Sequence, residues 1–173
     1  AISLATPGSS LRVYLRPGAT ILLGGEQLWI TGRNLTLASD GIGAVIDASH
    51  LSRAFRVENG AHLEMRHIHV RNTYVDGAAD RESFSHAGAI LVAGTSSLVL
   101  DASSIVNSHV YCAENTAFGG AIVAAFESTV VLTRSLITNM TVRSTSRLYQ
   151  AQAGALYPFQ STAARADSIR TAD

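Results

Sequence analysis

Apolar residues recur along this chain at every second position over short stretches, and the stretches themselves recur. Leu35 and Leu37, Leu63 and Met65, Leu98 and Leu100, and Val130 and Leu132 each bracket a single residue. Alternation of period two over a few residues is the pattern of a strand, not of a helix. A further apolar residue (Val70, Ile105 or Ile137) stands two positions before an asparagine (Asn72, Asn107 or Asn139). Each asparagine lies 17 residues after Phe55, Ile90 or Ile122. Three units therefore align: 55–72, 90–107 and 122–139. Ala87-Gly88-Ala89-Ile90, Gly119-Gly120-Ala121-Ile122 and Ala153-Gly154-Ala155-Leu156 form a matching step, their last residues 32 and then 34 positions apart. A looser version of the unit precedes them, in Leu35-Thr36-Leu37 and Gly43-Ala44-Val45-Ile46-Asp47. Val13-Tyr14-Leu15 and Ile21-Leu22-Leu23 suit an opening turn.

A unit this short cannot bury its own apolar face, so such units must stack. Strands of three to five residues in such units predict a solenoid in which each unit is one coil. Equivalent residues then lie one strand spacing apart, about 4.8 Å. The core columns expected are Leu35/Leu63/Leu98/Val130, Leu37/Met65/Leu100/Leu132, Val70/Ile105/Ile137 and Phe55/Ile90/Ile122/Leu156. Asn72, Asn107 and Asn139 are expected to form an internal ladder, each side-chain amide bonding the next and holding bent backbone. Three insertions, 73–86, 108–118 and 140–152, fall between asparagine and glycine step, and so emerge as loops at one corner. Residues 1–19 read as an N-terminal segment or cap, 20–157 as coils, and 158–173 as a degenerate last coil, cap or truncation.

These motifs resemble the right-handed parallel β-helix superfamily, the pectate-lyase-like fold. More narrowly, they look like the GGA(I/L/V)…N repeats of polymorphic outer-membrane proteins. The resemblance covers about residues 20–157 and implies an all-β, right-handed parallel β-helix of about four to five coils. It implies a non-catalytic, extracellular or cell-surface module for adhesion, contacting a polysaccharide or a cell-surface protein. The alternative is a fragment or relative of a polysaccharide lyase or hydrolase. Only Gly119-Gly120-Ala121-Ile122 has the full step; the other two begin with Ala.

Composition narrows the choice. Hydrophobic residues make up 47% of 173 residues, enough for a sizeable core, and charged residues only 15%. Thirteen basic residues, all arginine, cancel thirteen acidic ones, so no nucleic-acid footprint is expected. Chemistry that needs a lysine is excluded. One cysteine excludes a disulfide within the chain. The longest apolar runs fall far short of the ~18 residues of a membrane span. The chain opens on Ala1 with no basic stretch leading into an apolar one. No signal peptide is visible, and the expectation is a mature or excised chain. The sequon at Asn34 suits a secreted setting; the one at Asn139 conflicts with a ladder role.

Candidate chemistry is sparse. Enzymes of the resembling fold carry Asn-Thr-Asp, Asp-Asp or Gly-His-Gly motifs, and none occurs here. Glu64 has Val99 and Val131 in its column, so no carboxylate row forms, and Asp101 is expected to pair with Arg66. The acidic residues that gather are in the insertions: Asp76, Asp80, Glu82 and Glu114. They are the expected binding residues. No cofactor is expected, although Ca²⁺ is an ion such oxygen ligands would suit. Alternation puts His67 and His69 on one face, but Zn²⁺ wants three or four ligands and the aligned neighbours offer none. No metal site is therefore assigned. Cys112 reads as a free loop thiol near His109. An uncapped last coil would leave a strand edge open to end-to-end association.

Overall fold

A computed structural model describes residues 8–76, 88–112, 117–144, 151–152, 155–159, 163–167 and 170–172. These residues form strands and turns without a helix. The chain passes through three sheets in a fixed order. The first pass is β1 (Ser10–Tyr14), β2 (Thr20–Leu22) and β3 (Leu28–Thr31); the second is β4 (Asn34–Ala38), β5 (Ala44–Asp47) and β6 (Phe55–Glu58). The third is β7 (His62–Arg66), β8 (Ile68–Asp76) and β9 (Ile90–Val92). Then come β10 (Ser97–Asp101), β11 (Ser104–Cys112), β12 (Ala117–Phe118) and β13 (Ile122–Ala125). They are followed by β14 (Thr129–Thr133), β15 (Leu136–Ser144), β16 (Ala151–Gln152) and β17 (Leu156–Phe159). β18 (Ala163–Asp167) and β19 (Arg170–Ala172) close the series.

The first sheet runs β1-β4-β7-β10-β14-β18, the second β2-β5-β8-β11-β15-β19 and the third β3-β6-β9-β13-β17. β12 pairs with β16 alone. Every pairing is parallel. The molecule is a parallel β-solenoid. Its ladders take in β1, β18 and β19, on both sides of the stretch in which the repeat is legible in the sequence.

The register places the repeat in space. Leu35, Leu63, Leu98 and Val130 are successive partners, as are Leu37, Met65, Leu100 and Leu132. Val70, Ile105 and Ile137 follow in the second sheet, and Phe55, Ile90, Ile122 and Leu156 in the third. Their side chains belong to one core, and Leu63, Leu98, Ile105 and Ile122 are fully buried. A fully buried aliphatic side chain is worth about 1.5–3 kcal/mol over an exposed one. At the first pass the columns run out: Leu11, Val13 and Leu28 are only partly covered and line a mouth of about 720 Å³.

The corners are made by single left-handed residues. Between the first and second sheets these are His67, Ala102 and Arg134, with φ of 52, 47 and 50°. His67 is therefore not on a strand beside His69. The corner breaks the alternation on which their shared face depends. Nor does Arg66 pair with Asp101. Arg66 Nε donates to Glu64 at 2.8 Å on its own strand, and Asp101 takes the Arg134 guanidinium through both oxygens. The corner swings Arg134 back over β10, where it reaches Asp101 first.

Candidate functional site

The asparagine row shapes the site. Asn72, Asn107 and Asn139 sit at φ of 54, 56 and 54°, a conformation asparagine tolerates better than most residues. Asn139 Nδ2 donates to Asn107 Oδ1, and Asn107 Nδ2 donates to Asn72 Oδ1 at 3.2 Å. Asn72 Nδ2 donates in turn to the carboxylate of Asp47, at 3.1 and 3.2 Å to its two oxygens. The row is polar in one sense and ends on a charge. Burial alone would push the Asp47 carboxyl up. Hydrogen bonds from the Ser49 amide, Arg71 and Asn72 outweigh it and hold the group below its ordinary value.

The asparagines bend the second sheet without ending it. Strands run on to Asp76, Cys112 and Ser144, so 73–76, 108–112 and 140–144 are strand where loops were expected. The reason is local: a left-handed residue redirects the chain, and parallel pairing resumes at once, from Ser108 to Thr73 and Met140. Beyond the bend the alternation starts again. Thr73, Val75, Ser108, Val110 and Cys112 face inward and are buried. Thr73 Oγ1 donates to Ser108 Oγ at 2.8 Å. Cys112 is thus a buried strand residue packed with Val110, not a loop thiol. Gly88 lies against this inner face: a Cβ there would be 2.2 Å from Ser108 Oγ and 2.3 Å from the Gly120 carbonyl oxygen.

The outer face carries the candidate site. Tyr74, His109 and Thr141 are partners across β8, β11 and β15, and Asp76, Tyr111 and Arg143 are partners one step on. His50 joins them from the turn after β5. Its φ is 57°, and its amide donates to the Asn72 carbonyl oxygen. The His50 and His109 rings lie 5.5 Å apart between centroids, tilted by 39°. His50, Tyr74, His109, Tyr111, Thr141 and Arg143 line an open groove of about 550 Å³. Burial, then the neighbouring His50, lowers the His109 pKa, so the neutral ring is favoured. Burial, then Asp76 and Tyr111, raises that of Tyr74.

Tyr74 also borders a second hollow of about 390 Å³, with Glu26, Gln27, Arg53 and Asp76 among its walls. Of the expected acidic residues, Asp76 therefore stands beside the groove; Asp80, Glu82 and Glu114 lie outside the described residues. His69 is held by Ser104 Oγ at 2.9 Å and the Ile42 carbonyl oxygen at 3.1 Å. His62 is held by Ser97 Oγ at 2.7 Å. Among the described residues no three of His, Cys, Asp and Glu gather as a metal cluster. Nor, among those residues, is a helix long and apolar enough to cross a membrane.

The sequence did not point to His50. It lies 59 positions before its ring partner in the chain and outside the repeat unit. The signal for His109, Tyr74 and Tyr111 was alternation past the asparagine, which was read as loop.

No protein-family model, curated protein or solved structure matches this chain.

Proposed function

We propose that this protein is a non-catalytic binding module, a right-handed β-helix of the pectate-lyase-like kind, whose groove holds an extended glycan. The setting proposed is extracellular, in adhesion, with the glycan free or borne by a cell-surface protein. The observation that carries the reading is the row of rings. Tyr74, His109 and Tyr111 stand on adjacent strands of one sheet and face outward, with His50 beside them. Rings repeating at the ~4.8 Å strand spacing along the solenoid axis suit a ligand that repeats along its length. Tyrosine and imidazole present flat apolar faces with polar edges, the combination that packs against a sugar ring and bonds its hydroxyls. Arg143 and Thr141 add donors at one end.

A glycan array, followed by titration of a binding oligosaccharide, tests this. Tyr74→Ala and Tyr111→Ala should each weaken binding about tenfold, the ~1.4 kcal/mol expected of one stacked ring. No binding across the array, or binding indifferent to both changes, would overturn it.

One observation favours a second reading, a relative of a polysaccharide lyase or hydrolase. Glu26 and Asp76 share the adjoining hollow with Arg53. Paired carboxylates across a sugar chain are what glycoside hydrolysis needs. Release of new chain ends from a bound polysaccharide, abolished by Asp76→Asn, would establish this reading over the first.

A further inference from the structure

The six histidines of the chain do not share one role. His62 and His69 have ring nitrogens tied to serine hydroxyls of the next strand, and His67 forms a corner. His50 and His109 differ. They come from different passes, share one solvent-open groove and face each other, and no ring hydrogen bond holds either. From these contacts we propose that His50 and His109 together bind one divalent transition-metal ion of the Zn²⁺ or Cu²⁺ kind, with water or the groove's ligand in the remaining positions.

The distance is the first argument. A metal ~2.1 Å from one nitrogen of each of two imidazoles sets the ring centres about 5–6 Å apart at tetrahedral or trigonal angles. The observed separation is 5.5 Å. The second argument is protonation. A metal takes the neutral imidazole, and the burial of His109 and the charge of its neighbour both favour that form. The third is preorganisation. The His50 amide is fixed to the Asn72 carbonyl oxygen, and His109 stands on a strand paired on both sides. The ion would therefore join two elements already in place. Imidazole suits zinc and copper, whereas calcium wants oxygen. Two protein ligands leave open positions, so the bound ion would be exchangeable and able to accept an oxygen or nitrogen from whatever lies in the groove. The inference stands apart from the glycan reading, since it needs only the two rings.

The test uses the full chain without any affinity tag, titrated calorimetrically with Cu²⁺, Zn²⁺ and Ca²⁺ as chloride salts. The expected result is one Cu²⁺ per chain in the micromolar range, weaker Zn²⁺ and no Ca²⁺. His50→Asn, which keeps a residue suited to the left-handed turn, and His109→Gln should each weaken Cu²⁺ binding at least tenfold. His67→Asn should leave it unchanged. Electron paramagnetic resonance of the Cu²⁺ form should show two coordinated nitrogens, reduced to one in either variant. Absence of stoichiometric Cu²⁺ binding would overturn the proposal. So would retention of affinity in either variant, or loss of affinity with His67→Asn. Circular dichroism of the variants separates loss of the site from loss of the fold. Failure here leaves the groove's glycan binding measurable and untouched.

Discussion

Replacing Asn107 by alanine strikes the middle of the asparagine row. The change removes the bond Asn107 donates to Asn72 and the one it accepts from Asn139. Side-chain hydrogen bonds of this sort contribute about 1 kcal/mol each. It also puts a Cβ-bearing residue with no compensating amide at φ 56°, a region that costs an ordinary L-residue about 1–2 kcal/mol. The sum is about 3–4 kcal/mol. Asn107→Gly loses the same two bonds without the conformational cost, so it should be milder by about 1 kcal/mol. At roughly 2–4 °C per kcal/mol for a chain of this size, alanine should lower the melting temperature by about 10 °C. Urea unfolding followed by far-ultraviolet circular dichroism measures both. If alanine costs under 1 kcal/mol, the row does not hold the bend. If glycine is as damaging as alanine, the left-handed backbone carries no strain and that part of the reasoning fails.

Other consequences are as direct. Ile105→Asp buries an unpaired charge in a fully covered column and should unfold the chain or cost more than about 4 kcal/mol; a variant melting like the parent would refute the column. Gly88→Ala should cost more than about 2 kcal/mol, and Ser108→Ala should rescue it only in part, because the Gly120 carbonyl oxygen remains in the way. Full rescue would refute the backbone clash. Asp47 has a folded pKa below its unfolded value, so its stabilising contribution is present above the unfolded pKa and is lost as pH falls through the folded one. Stability of the parent relative to Asp47→Asn should thus be constant above about pH 5 and shrink below about pH 4. A margin that stays flat through the acid range would show that the carboxylate is not held by Arg71 and Asn72.

The repeat was legible because a solenoid turns sequence period into contact. Residues 32–35 positions apart, such as Asn72, Asn107 and Asn139, become hydrogen-bonded neighbours. A column is then a statement about spacing alone. Apolar alternation, the asparagine and the small-residue step determined the parallel sheets, their register and the core. Four things were decided only by the tertiary structure. The strands continue past the asparagines, because a left-handed residue is compatible with a turn or with a bent strand, and only the neighbouring strands select between them. Arg66 and Asp101 take other partners than the register suggests, because a long side chain answers to the corner geometry around it. Cys112 is buried by what packs beside Val110. And His50 meets His109 because a turn outside the repeat is tied to the Asn72 carbonyl oxygen. Contacts within the period are written in the sequence; contacts between a repeated strand and an unrepeated turn arise only once the passes are stacked.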